Sequence, residues 1–299
     1  MVTVFSTLMT VEVRYYTDPA CPRSWANEPR LRRLMWELGD GLRFTWVMGG
    51  LVRQYGSGYS DEQAGIGGGQ VEAELMADWL QVGAESGMPI DPRLWHQGPI
   101  ASSYPACQAV KAAAEQGPEP AYAYLRRLRE GLMLERRKLD HAEALVGEAA
   151  SAGLDVERFR IDLNSHAITE AFAADLEEVR SIPAEARDAG AAIRTEGRER
   201  VAFPSALFVG QDGSRHGVWG PGTNDAYREA ALACGAAAVA DPPSQALAVV
   251  QRFGRATTRE VEVVCGKARP LVEAELWSAA SQWRVRAVPE LTGTIWEPA

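Results

Sequence analysis

Within this 299-residue chain, Cys21-Pro22-Arg23-Ser24 is the segment best placed to do chemistry. Residues 11–16 (VEVRYY) precede it, alternate and are β-rich, so they predict a strand. Leu31, Leu34, Met35 and Leu38 follow at helical spacing, up to Gly39. A cysteine between a strand and a helix start faces unsatisfied backbone N–H groups and the positive end of the helix dipole. Both favour thiolate, so the expected pKa lies below the free-thiol value of about 8.5 and the sulfur is a nucleophile. Pro22 suits a first helical turn, where its missing N–H costs little. Ser24 can turn its hydroxyl toward the sulfur as a further donor. With serine rather than cysteine at residue 24, Cys21 can attack a disulfide but cannot release a mixed disulfide by closing a ring with that residue.

Other candidate constellations are weaker. Cys107 lies in a helical pattern with Ala106, Val110 and Ala113, so a buried packing cysteine outranks a remote resolving thiol. Cys234 and Cys265 read as small helix-face hydrophobes. His96, His141, His166 and His216 share no ligand spacing, and no metal site is expected. Gly65-Ile-Gly-Gly-Gly69 lacks the Lys-Ser/Thr of a phosphate loop and reads as a flexible loop near the active segment. No G-x-S-x-G element marks a hydrolase. Arg126, Arg127 and Arg129, with Arg136, Arg137 and Lys138, make a basic helix face; the expectation is a solvated one balanced by Glu130 and Glu135. The tryptophans at 25, 36, 46, 79 and 95 are expected in core and groove walls.

The elements that must position Cys21 open as β-α-β, with a second strand at 42–48 ended by Gly49-Gly50. From about Ser60 to Val179 the pattern is helical, cut by prolines. A loop-rich connection then leads to an apolar run at 201–209, Asp212-Gly213 as a hairpin signal, a strand at 215–219 and a helix at 223–234. Asp241-Pro-Pro-Ser244 reads as a linker. Beyond it, helices at 245–253, 258–264 and 268–283 precede short strands at 285–288 and 293–296, which is winged-helix order. Net charge is −9, yet seven basic and seven acidic residues leave the part beyond residue 240 neutral. A duplex binder needs a basic face, so DNA is not an expected partner and a protein partner suits the tail better. The first ten residues have no Lys or Arg ahead of their short apolar stretch, a poor signal peptide. No window approaches the roughly 18 apolar residues that cross a bilayer, so no membrane association is expected and the cytoplasm is the expected compartment.

Asp18-Pro-Ala-Cys-Pro-Arg-Ser-Trp25 after a strand resembles the active-site turn of the DsbA-like branch of the thioredoxin superfamily, with C-x-x-S in place of C-x-x-C. Ser103-Tyr-Pro-Ala-Cys-Gln-Ala-Val-Lys111 and Tyr124-Leu-Arg-Arg-Leu-Arg-Glu130 resemble the inserted helical domain of cytosolic DsbA-like proteins, including FrnE-type oxidoreductases and the protease-adaptor branch. Phe203-Pro204, before a strand, resembles the cis-proline loop that faces the active cysteine. The resemblance covers about 11–235 and implies an α/β, thioredoxin-like fold (11–58 and 181–240) interrupted by an inserted helical domain (59–180). A small winged-helix-like C-terminal domain (241–299) follows. It implies Cys21 and Ser24 as the catalytic pair. Asp18, Pro22, Arg23, Trp25, Phe203, Pro204 and Tyr104 would shape the substrate groove. The activity implied is monothiol thiol-disulfide chemistry on a protein disulfide or a glutathione-conjugated substrate. No bound cofactor is implied, glutathione entering only as a candidate co-substrate. The competing reading is a non-catalytic adaptor, in which the thioredoxin-like body binds a client protein and the tail docks a second partner.

Overall fold

A computed structural model describes residues 10–56 and 58–299; the stretch read above as a poor signal peptide lies, but for Thr10, outside them. β1 (Val11–Thr17) buries Val11, Val13 and Tyr15 at every second position, as a pleated strand with a covered face must. α1 (Pro22–Ala26) and α2 (Glu28–Leu38) are separated by Asn27, because Pro29 has no N–H to continue the helical ladder. α2 stops at Gly39, whose φ of 49° places it in the left-handed region that favours glycine. β2 (Leu42–Met48) then pairs parallel to β1.

Eight helices follow: α3 (Val71–Ser86), α4 (Leu94–Gln97), α5 (Tyr104–Ala114), α6 (Pro118–Met133), α7 (Ala142–Ser151), α8 (Val156–Leu163), α9 (His166–Arg180) and α10 (Ala184–Asp188). The helical pattern expected from about Ser60 starts only at Val71; residues 59–66 instead form a tight turn closed by Asp61 and Ile66. The expected loop-rich connection contains a hairpin, β3 (Ala192–Thr195) and β4 (Arg198–Val201). Its turn residues Glu196 and Gly197 both have positive φ, 50° and 74°. That geometry makes a tight hairpin, but Glu-Gly is a weaker sequence signal for it than Asn-Gly. β5 (Ser205–Val209) and β6 (Arg215–Val218) complete a four-stranded sheet of order β2-β1-β5-β6, β5 running antiparallel to both β1 and β6. α11 (Asn224–Ala233), capped by Thr223, packs on β6. Asn27 donates to the hydroxyls of Tyr15 and Tyr227, tying β1 and α11 to the break between α1 and α2.

The C-terminal domain comprises α12 (Ala246–Phe253), β7 (Ala256–Thr257), α13 (Thr258–Cys265), α14 (Arg269–Ser281), β8 (Val285–Glu290) and β9 (Gly293–Pro298). Its sheet has the order β7-β9-β8, so two residues between the expected helices contribute a short strand. This domain is bolted to the body. Arg33 on α2 donates to the carbonyls of Val263 and Val264, and Arg32 donates to the Arg255 carbonyl at 2.6 Å. Ile90 N donates to Thr292 Oγ1 at 2.9 Å.

At this junction part of the arginine face meets the opposite of the expected environment, while Arg136, Arg137 and Lys138 are exposed as expected. Arg126 and Arg129 are buried, not solvated. Arg126 grips Glu260 of α13 with two hydrogen bonds of 2.7 and 3.1 Å and also pairs with Glu130. Arg129 binds Glu28 of α2 and the Thr17 hydroxyl. Arg127 pairs with Glu135, Glu148 and Glu130. Carboxylates from three distant segments converge on one helix, and buried guanidinium groups are retained only when paired in this way.

Candidate thiol site

β1 delivers the chain to Asp18, and the turn that follows places Cys21 at the cap position of α1, where its N–H donates to the Asp18 carbonyl at 3.2 Å. Cys21 is only 3% exposed. Burial pushes its thiol above the ordinary value, opposed by the Ser24 hydroxyl and N–H and by the positive charges of Arg23 and Arg200. The depressed pKa expected from the strand-to-helix position is therefore overturned. α1 is only five residues long, a short dipole to set against the cost of taking a thiolate out of water. Ser24 Oγ is buried without a fully formed hydrogen bond among the described residues, yet it lies close enough to the sulfur to recover part of that cost.

The cover over Cys21 comes from residues the sequence did not single out. A narrow cavity of about 20 Å³, room for one water molecule, is lined by Cys21, Pro22 and Arg23 on one side and by Tyr55, Tyr59 and Gln63 on the other. Arg23 holds Asp78 of α3 with bonds of 3.1 and 2.6 Å, fastening α3 to the Cys21 turn. Asp61 anchors the turn at 59–66: it accepts from Arg200 at 3.2 Å, from Thr195 and Tyr59 at 3.3 Å and from the Ala64 N–H at 3.1 Å. The sequence signals for this cover were the glycine-rich stretch at 65–69 and Trp79, expected in a core or groove wall and found lining this cavity.

Phe203-Pro204 is a cis peptide immediately before β5. Phe203 is buried under the Arg200 guanidinium at 4.1 Å, and a side chain at Gly49 would lie 1.8 Å from its ring. Gln63 bridges this loop to the Cys21 cavity: its Nε2 donates to the Phe203 carbonyl at 2.7 Å and its Oε1 accepts from the Phe203 N–H at 3.2 Å.

Of the residues expected at the groove, Pro22 and Arg23 line the cavity, Phe203 and Pro204 do not, and Asp18, Trp25 and Tyr104 stand elsewhere. Asp18 lies beneath the turn, accepting from Leu51 N, Ala20 N, Ser103 Oγ and Cys107 Sγ at 2.6, 2.8, 2.8 and 3.2 Å. Burial raises its carboxyl above the usual range, those donors opposing the shift. Trp25 points into the core, donating to the Pro89 carbonyl at 2.8 Å with Arg126 stacked on it at 4.3 Å. Tyr104 packs edge-on against Phe172 and lines a separate polar cleft with Arg53, Arg180 and Arg198. Burial and then the Asp18 charge push the Cys107 thiol well up, in keeping with a buried packing cysteine. Burial raises Cys265 to about 11. Among the described residues no helix is long and apolar enough to cross a membrane.

The sequence pattern of the Thioredoxin family (Thioredoxin_5) matches residues 15–183, taking in the Cys21 turn, its cover and the helices through α9. The ClpXP adapter protein SpxH of Halalkalibacterium halodurans is 33% identical over 172 residues, 58% of this chain and 55% of that one. The chain thus spans about half the length of this relative. The protein of the same description from Shouchella clausii is 25% identical over 294 residues, 96% of this chain and 88% of that one. Among solved structures, the cytosolic disulfide reductase DsbM of Pseudomonas aeruginosa superposes with a TM-score of 0.51 at 21% identity, covering 69% of this chain and 88% of that one. At that identity the likeness is one of fold.

Proposed function

Because this chain belongs to the thioredoxin family, we propose that it works as a protein adaptor that binds a client through its thioredoxin-like body and presents it to a proteolytic partner. The observation that carries the reading is the state of Cys21: sealed at 3% exposure, raised in pKa by burial, and with serine at the resolving position. A thiol in that state is a poor nucleophile. The relatives described as ClpXP adapters favour the same reading, and ClpXP is the partner to test. A cytoplasmic setting and the winged-helix-like order of the tail belong to this proposal.

The test compares the wild-type chain with Cys21→Ala in capture of client from extract of its own cells, followed by degradation of the recovered client by ClpXP with and without the chain. Equal capture by both proteins and faster degradation on addition of either support the adaptor. Capture that requires Cys21 rejects it.

One observation favours monothiol chemistry as a second reading: Ser24, Arg23 and Arg200 all stabilise a thiolate at Cys21. In that reaction the thiolate attacks one sulfur of a protein or glutathione disulfide. A new S–S bond forms, the old one breaks, and the leaving thiolate takes up a proton. Ser24 cannot resolve the product, so a second external thiol such as glutathione must attack the mixed disulfide. Trapped disulfides at Cys21 in the capture experiment identify this outcome.

A further inference from the structure

We infer that Gln63 is a built-in plug: its carboxamide occupies the main-chain donor and acceptor of Phe203 and so holds the Cys21 cavity shut. A partly buried main-chain N–H and C=O must find partners. Phe203 lies outside both β4 and β5, and its N–H and C=O are both satisfied by one side-chain amide, Gln63, at 3.2 and 2.7 Å. A carboxamide carries the same donor and acceptor as a peptide group. The couple at Phe203 is thus filled as an extended polypeptide would fill it. Gln63 also lines the cavity over Cys21, which joins the two features.

The moving part is the side chain. The backbone of the turn is held to the β3 segment, with Glu62 N donating to the Arg194 carbonyl at 2.9 Å and Glu196 N donating to the Ser60 carbonyl at 2.9 Å. Asp61 fixes it further through Arg200. Gln63 itself is only partly buried, so rotation about its own χ angles releases Phe203 without unfolding the turn. An incoming main chain that bonds Phe203 replaces two hydrogen bonds with two of the same kind. The exchange is close to isoenergetic, and the groove opens only when something suitable fills it.

This inference goes beyond the adaptor reading and does not rest on it, since alkylation reads access to Cys21 whether or not a client is bound. The rate of iodoacetamide labelling at each cysteine is followed by mass spectrometry at one pH in the full chain, in Gln63→Ala and in Gln63→Met. Methionine keeps the length of the side chain and removes both hydrogen bonds. The expected result is labelling of Cys21 about tenfold faster in both variants, as the loss of two modest hydrogen bonds implies, with Cys107 and Cys234 unchanged. Cys107 and Cys234 are buried elsewhere in the body and report general loosening. An unchanged Cys21 rate in both variants, or a rise shared equally by Cys107 and Cys234, overturns the inference.

Discussion

Glu260 is the carboxylate that locks the C-terminal domain to the body, and replacing it tests whether that lock is structural. Its side chain is fully buried, bonded twice to Arg126 at 2.7 and 3.1 Å and lying 3.3 Å from Arg32. It also closes the capping box of α13, accepting from the Thr257 N–H at 2.7 Å while Thr257 Oγ1 accepts from the Glu260 N–H at 3.1 Å. Removing one partner of a buried pair costs about 3–5 kcal/mol, because the other charge stays buried and unpaired. Arg126 keeps Glu130 at 2.8 Å, and Arg32 keeps the Arg255 carbonyl and the Tyr122 hydroxyl, which favours the lower end. Loss of the cap adds about 1 kcal/mol. Glu260→Ala is therefore expected to cost about 4 kcal/mol, a fall in melting temperature on the order of 10 °C for a chain of this size. Burial alone would raise the Glu260 carboxyl, but Arg126 and Arg32 more than reverse this and hold it below its ordinary value. A group depressed in the folded state contributes stability above its unfolded pKa and loses it as pH falls through the folded one. The deficit of Glu260→Gln relative to wild type should therefore be full at neutral pH and shrink below about pH 4. Urea titration across pH 3–8 measures both effects. A loss under about 1 kcal/mol at pH 7, or a deficit independent of pH, refutes the reasoning. So does failure of the apolar double variant Arg126→Met/Glu260→Leu to recover part of the loss, since buried ion pairs are replaceable by apolar ones of similar volume.

Other outcomes are expected. Iodoacetamide labelling of Cys21 followed against pH should show a midpoint above the free-thiol value of about 8.5, moved higher still by Ser24→Ala; a wild-type midpoint below that value contradicts the burial argument. Gly49→Ala should cost about 1–3 kcal/mol through overpacking, because the new Cβ meets the buried Phe203 ring at 1.8 Å; an unchanged melting temperature shows that the ring has room to move. Trp283 is 87% exposed, so Trp283→Ser should stay within about 0.5 kcal/mol of wild type in chemical denaturation.

Local signals in the sequence led correctly to the strand before Cys21, the helix ending at Gly39, the second strand and the Asp212-Gly213 turn between β5 and β6. In each, the residues that decide the geometry are neighbours in the chain. The failures share the opposite property. Arg126 looked like part of a solvated face because its partner Glu260 lies 134 residues away. Gln63 carried no signal because its meaning depends on Phe203, 140 residues downstream. Tyr104 sits on the predicted helix but faces another cleft, since a helix start does not say which groove it will line.

The sequence by itself determined what kind of thiol chemistry is open to this protein: Cys21 at a strand-to-helix turn with serine three residues on allows attack on a disulfide but no ring closure with residue 24. The tertiary structure alone decided the state of that thiol. Whether a cysteine is ionised and reachable depends on desolvation and on charges brought in by remote segments, here the turn at 59–66, Arg200 and the helical insert. Folding closes those segments over Cys21, and burial then outweighs the short helix behind it.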